Sequence, residues 1–96
     1  MKLARVTGTV TSTVKDTPFS AQKMLLIDIV DADGKVLEPA VVALDVCSAG
    51  PGDLVIVTTG SAARLPNQTS GIGTDATVIA IVDELTVGGK PVYNAP

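Results

Sequence analysis

The residues that could carry out chemistry are few in this chain of 96 amino acids. It contains no histidine, which excludes a histidine-based catalytic triad, a histidine metal site and an imidazole acid–base catalyst. Its single cysteine, Cys47, has no second thiol with which to form an internal disulfide. A lone cysteine fits a reducing compartment and is most simply interpreted as a small core side chain. We therefore predict no catalytic residues, no cofactor and no metal.

One dipeptide invites an enzymatic interpretation. Self-cleaving pyruvoyl enzymes on small β-barrels break a Gly-Ser bond, and this chain contains Gly60-Ser61. The dipeptide is also common in turns, and no supporting group of side chains accompanies it. We expect the chain to stay intact, because self-processing would yield two fragments in an intact-mass measurement.

The charges point away from nucleic acid and from an anionic membrane. Seven basic residues stand against ten acidic ones, for a net charge of −3, and the basic residues are scattered. A binder of single strands needs stacking aromatics and a positive groove, whereas this chain has only Phe19 and Tyr93. A nucleic-acid-binding module is the alternative by architecture. No apolar run approaches 18 residues and no signal-peptide core is present, so we expect a cytosolic protein.

The composition predicts an obligate oligomer. Hydrophobic residues make up 46% of the chain, and charged residues make up only 18%. An average soluble domain has about 25% charged residues. A single domain of this length has much surface and little interior, so part of its apolar surface stays uncovered. Uncovered apolar patches usually mark interfaces.

The hydrophobic pattern predicts five strands. Residues 3–15 alternate between an apolar and a polar face, and Gly8 interrupts the pattern as glycine does where a strand bends around a barrel. Asp33-Gly34 is a tight-turn signal. The other predicted elements are strands at residues 24–30, 36–46, 54–58 and 77–85, a turn at 48–52 and one helical turn within 61–65.

Five strands with a long bent first strand predict an all-β chain with a small OB-fold-like β-barrel, closed or partly open. A small sandwich is the alternative. We expect a single β-barrel domain over residues 1–85 and a C-terminal arm or hairpin over residues 86–96, which contain Gly88-Gly89. The strands at 24–30 and 77–85 are apolar on both faces, although the outside of a barrel is normally wet. Neighbouring subunits are expected to cover them.

Six blocks of the sequence form a recognisable pattern, and they are residues 2–15, 23–27, 42–45, 49–55, 60–64 and 75–83. In order and spacing, these blocks resemble the EutN/CcmL family of bacterial microcompartment and carboxysome shell vertex proteins (the pentameric BMC-P type). Cys47 and Ser48 depart from the pattern, because the family more often has an aliphatic residue and a glycine there.

The resemblance implies a barrel related to the OB fold that assembles as a cyclic homopentamer. Such a pentamer is a structural shell protein: it plugs the five-fold vertices of a polyhedral shell whose facets are hexameric shell proteins. The expected location is therefore the microcompartment shell in the bacterial cytoplasm. A structural or adaptor subunit of another cytosolic ring is the alternative.

The resemblance also suggests where the subunits meet. The small residues at positions 60–64 allow close backbone approach, as a narrow symmetry axis requires, although composition alone favours an ordinary turn. Charged side chains beside the apolar fifth strand and among the few basic residues could form charge-assisted bonds across an interface, or could be solvated surface charges. The candidate residues for the subunit interface or five-fold axis are Gly60, Ser61, Ala62, Arg64, Arg5, Asp75 and Asp83.

Overall fold

The computed structural model describes residues 1–11, 23–60, 63 and 75–96. Seven strands lie in these ranges. They are β1 Lys2–Val10, β2 Lys23–Val30, β3 Val36–Asp45, β4 Leu54–Thr59, β5 Ala76–Ile81, β6 Glu84–Val87 and β7 Lys90–Asn94.

The first five strands form a closed barrel in the order β1-β2-β3-β5-β4, which confirms the predicted OB-like barrel and excludes the sandwich. The barrel closes because β4 also pairs with β1. Neighbouring strands are antiparallel except β3 and β5, which are parallel. The β3–β5 seam is short: its register contains only Leu44 opposite Thr77 and Asp45 opposite Val78.

The alternation in β1 produces the buried side that was predicted. Ala4 and Val6 lie in the core. The register against β2 shifts between Val6 and Gly8, so the predicted break at Gly8 is confirmed. A Cβ added to Gly8 would lie 4.0 Å from the Cβ of Leu26, an ordinary contact, so the glycine serves the bend rather than a close approach. Residues 12–15 of the predicted strand are outside the described ranges.

The one charged residue within the apolar stretch of β2 supports an irregularity in β3. The register between these strands passes from Ile27–Val41 to Ile29–Glu38, so two residues of β3 stand opposite Asp28. One of them, Ala40, has a φ of 58°, which is unusual for a residue with a side chain. The Asp28 carboxylate accepts a hydrogen bond from the Ala40 N–H at 3.0 Å. This bond satisfies a backbone donor at the position where the regular β2–β3 hydrogen bonding is interrupted.

The fifth strand ends earlier than predicted. It stops at Ile81, and the Val82 N–H donates to the Leu54 carbonyl at 2.8 Å. That hydrogen bond holds Val82 beside Leu54, the first residue of β4. The residues that follow form a separate two-stranded hairpin of β6 and β7. The prediction of one strand over residues 77–85 is therefore wrong in its last four residues. The division into units at residue 85 stays a prediction.

Two apolar clusters hold the molecule together. The barrel core contains residues from all five of its strands, including Leu25, Ile27 and Val57. A second, smaller cluster joins the barrel to the hairpin: Val30, Leu54 and Val82 are buried there, and Leu85 and Tyr93 of the hairpin pack against them. The hairpin thus rests on the barrel by its base.

Two remaining points concern helices. The predicted helical turn within 61–65 falls on residues of which only residue 63 is described. Within the described ranges, no helix has the length and apolar character needed to cross a membrane.

Candidate assembly surface

The exposed large apolar side chains of the described strands lie mainly on β3 and on the hairpin, and we call these two sets the β3 patch and the hairpin patch. The β3 patch consists of Val36, Leu37 and Val42, which are 45%, 61% and 48% exposed. The hairpin patch consists of Val87 and Val92, which are 45% and 49% exposed. The pattern analysis expected neighbouring subunits to cover the second and fifth strands. Ile81 at the end of β5 is 37% exposed, and the cover of these strands by neighbours stays a prediction.

The β3 patch lies on a strand with an incompletely paired edge. β3 pairs with β2 along most of its length, and on its other side it pairs with β5 only at Leu44 and Asp45. From Val36 to Ala43, no described strand pairs with that second edge. Unpaired backbone donors and acceptors on a sheet edge are a template for a further strand.

Two adjoining grooves lie where β3 leaves the barrel, and together we call them the β3 trough. The larger has a volume of about 450 Å³ and includes Leu37 in its wall. The smaller has a volume of about 230 Å³ and extends toward the end of β4. They share Lys2, Ile29 and Glu38, so the trough combines an apolar wall with both signs of charge.

Two of the predicted site residues meet at the far end of this trough. The Gly60 N–H donates to the Asp75 carbonyl at 2.8 Å, and both residues line the smaller groove. Gly60 has a φ of 65°, a left-handed conformation that favours glycine as the chain leaves β4. Ser61, Ala62 and Arg64 lie outside the described residues. The role of these positions at an interface or axis stays a prediction.

The other two predicted residues lie elsewhere. Arg5 is opposite Leu54, at the other end of β4 from Gly60. Its Nη1 donates to the Gly52 carbonyl at 3.0 Å, and its Cζ is 5.2 Å from the centre of the Tyr93 ring. Asp83 begins the hairpin, and its carbonyl accepts the Ala95 N–H at 2.9 Å. Arg5 therefore makes contacts within its own chain, and its place at a subunit interface stays a prediction.

A polar cluster at the start of β2 was missed by sequence reasoning. Lys23 Nζ lies 3.3 Å from Asp45 Oδ2 and donates to the Ala49 carbonyl at 2.8 Å. The Asp45 side chain is buried, and its Oδ1 accepts the Cys47 N–H at 3.0 Å. The cluster joins β2, the end of β3 and the following turn. Lys23 and Asp45 are far apart in the sequence, and no sequence motif predicts that their side chains form an ion pair.

The Cys47 thiol belongs to this cluster. Burial, followed by the nearby charge of Asp45, raises the pKa of Cys47 to about 11. The thiol therefore stays protonated, and a poor nucleophile, at neutral pH. Among the described residues, no group of three or more His, Cys, Asp or Glu side chains is placed to hold a metal ion.

A closed OB-type barrel with exposed apolar side chains on β3, along an edge that no described strand pairs with, defines a small β protein suited to assembly through its surface. The sequence matches the model of the family described as "Ethanolamine utilisation protein EutN/carboxysome" over residues 1–83. The chain belongs to this EutN/CcmL family.

Similar proteins come from two kinds of shell. The bacterial microcompartment shell vertex protein EutN of Salmonella typhimurium is 38% identical over 94 residues, which cover 98% of this chain and 95% of that protein. The carboxysome shell vertex protein CcmL of Synechocystis is 40% identical over 94 residues, which cover 98% of this chain and 94% of that protein.

Two solved structures agree with this chain over 91–100% of its length. A carboxysome subunit, CcmL, superposes with a TM-score of 0.92 at 40% identity, covering 100% of both chains. The pentameric microcompartment shell protein GrpN from Rhodospirillum rubrum superposes with a TM-score of 0.78 at 34% identity, covering 91% of this chain and 98% of that one.

Proposed function

We propose that five copies of this chain form a ring that caps the vertices of a polyhedral bacterial microcompartment shell. The observation that carries the proposal is similarity to shell vertex proteins along nearly the whole chain, with 98% of it covered at 38–40% identity. Relatives from both ethanolamine-type and carboxysome shells match to nearly the same degree. The proposed role is the one that both kinds of vertex protein share.

Two structural features support assembly into a ring. The chain exposes apolar side chains in two different places, the β3 patch and the hairpin patch. A closed ring needs two different surfaces on each subunit, because every copy contacts one neighbour on each side. The number five is supported by similarity to GrpN and to the pentameric shell protein MSM0273, which superposes with a TM-score of 0.66 at 29% identity.

The proposal also includes the partners and the absence of catalysis. The chain acts as a structural protein, located in the shell within the bacterial cytoplasm, and its partners are the hexameric shell proteins of the facets. The high pKa of its only thiol supports a non-catalytic role, because the thiol stays protonated near neutral pH.

Shell assembly tests the proposal directly. Hexameric shell proteins are co-expressed with and without this chain, and the purified particles are imaged by electron microscopy. We expect closed particles with caps at the vertices when the chain is present, and uncapped vertices when it is absent. A variant with the exposed turn substitution Asp33→Asn serves as control and should cap normally. Particles that look the same with and without the chain would contradict the vertex role.

A further inference from the structure

We propose that the distal half of the β6–β7 hairpin docks in the β3 trough of a neighbouring copy of this chain. Each copy then donates a hairpin on one side and receives one on the other. This inference rests on the proposed ring, and it names the two surfaces that form the contact.

The hairpin has too little support within its own chain. A two-stranded ribbon is at best marginally stable in water unless something packs against it. Here Leu85 and Tyr93 pack on the barrel, but Val87 and Val92 beyond them are about half exposed. Within the described residues, β6 and β7 pair only with each other. The distal half therefore presents apolar side chains and unpaired strand edges to a partner.

The β3 trough offers a matching receptor. β3 contributes Leu37, Glu38 and Val41 to its walls, from a stretch whose second edge pairs with no described strand, and Leu37 is 61% exposed. Addition of a strand to such an edge satisfies backbone N–H and C=O groups, while neighbouring side chains fix the register. The hairpin provides strands of four and five residues, and the β3 edge from Val36 to Ala43 can pair with them only on either side of the irregularity at Pro39 and Ala40.

The charges of the two surfaces are complementary. Lys90 is exposed just after the hairpin turn, and its neighbours Val87 and Val92 are apolar. Among the described residues that line it, the trough contains the acidic Glu38 and Asp75 and the basic Lys2. Neither Lys90 nor Glu38 forms an ion pair within the described part of the chain. Docking would bring the tip cation to a trough whose described lining carries one excess negative charge.

The partner is a second copy because both halves of the contact belong to this chain. A contact between two different surfaces is head-to-tail, and it closes into a ring when the rotation is right. Contact of one patch with its own copy would instead give pairs. The proposed vertex ring requires the head-to-tail arrangement, which a hairpin in a neighbour's trough supplies.

Charge exchange between Glu38 and Lys90 tests the pairing. Glu38→Lys or Lys90→Glu alone places like charges opposite each other, so the concentration for half-assembly of rings should rise about tenfold or more. The double variant Glu38→Lys/Lys90→Glu restores opposite charges and should return that concentration close to wild type. The matched control is Lys35→Glu, which makes the same charge change as Lys90→Glu in the exposed β2–β3 turn. It should assemble like wild type.

A cross-link tests the same contact without relying on its strength. In a Cys47→Ser background, Glu38→Cys and Lys90→Cys are combined, and the assembled protein is oxidised. We expect a denaturing gel to show a ladder of linked subunits for the pair and monomers for each single cysteine.

The outcomes separate this inference from the function beneath it. If wild-type protein forms rings but the single charge variants also assemble normally, or the double variant fails to recover, the hairpin–trough contact is wrong and the vertex role stands. If wild-type protein forms no rings under any condition, the vertex role itself fails.

Discussion

The guanidinium of Arg5 lies over the ring of Tyr93, with 5.2 Å between Cζ and the ring centre. The same guanidinium donates to the Gly52 carbonyl at 3.0 Å. One side chain of β1 thus contacts both the turn before β4 and the last strand of the hairpin. Together with the apolar cluster of Val30, Leu54 and Val82, it helps hold the base of the hairpin on the barrel.

Removal of this contact should loosen the hairpin while the barrel stays folded. A cation over an aromatic face contributes about 0.5–1 kcal/mol at a partly exposed site. We expect Tyr93→Ala to speed hydrogen exchange of amides in residues 84–94 and to leave those of β1–β5 nearly unchanged. Tyr93→Phe keeps the ring and should behave like wild type. Equal acceleration throughout the chain would show that the hairpin and barrel open as one unit.

The turn before β4 contains Gly50 and Gly52, and only Gly52 has a backbone conformation that requires glycine. Gly52 has a φ of 92°, and its N–H donates to the Val6 carbonyl at 2.8 Å. A side chain in a left-handed conformation costs roughly 1–2 kcal/mol. Gly52→Ala should therefore lower the free energy of unfolding by about that amount in urea denaturation. Gly50 lies outside the left-handed region and has open space for a Cβ, so Gly50→Ala is the matched control, expected within about 0.5 kcal/mol of wild type.

Substitutions at Lys23 and Asp45 should have non-additive effects on the free energy of unfolding, because the two side chains interact. Asp45→Ala leaves the Cys47 N–H without its acceptor and should cost about 1–3 kcal/mol. Lys23→Met removes the cation next to a buried carboxylate, but Lys23 is half exposed and solvent screens the pair, so about 1–2 kcal/mol is expected. The double variant should cost less than the sum of both, measured by urea denaturation. Strict additivity would mean that the two side chains do not interact.

The raised pKa of Cys47 predicts that its thiol reacts slowly with alkylating reagents. Burial and the charge of Asp45 raise the pKa from 9.0 to about 11, so at pH 8 the reactive thiolate is about a hundredfold rarer than in an ordinary cysteine. Alkylation by iodoacetamide should be correspondingly slow in native protein and fast in denaturant. Because the unfolded thiol ionises first, this group's contribution to stability should decline between about pH 9 and pH 11. A native alkylation rate equal to the denatured rate would contradict the shielding.

Local patterns were enough to predict the barrel strands. Alternation in β1 shows which side is buried, because Ala4 and Val6 lie on the face that the period of two assigns to the core. The bend at Gly8 is equally local. The end of β5 was not predictable in the same way, because it depends on the bond from Val82 to the carbonyl of Leu54, a residue distant in sequence.

The candidate surface was harder to predict than the fold. Val42 and Val41 are neighbours in the same apolar strand, yet the first is 48% exposed and the second packs against the core. Successive side chains of a strand point to opposite faces, and the β3 sequence does not show which face is the core because both residues are valines. The length of the seam with β5, two residue pairs, is likewise not encoded in the β3 sequence. The need for partners was visible in composition, but the surface that meets them was not.

The central claim, that this chain forms a five-membered ring, is tested most directly by native mass spectrometry of the untagged protein. The account predicts a dominant species with five times the 9.7 kDa subunit mass, persisting at low micromolar concentration. A dominant monomer or dimer over the same concentrations, or a closed ring of another number, would contradict it.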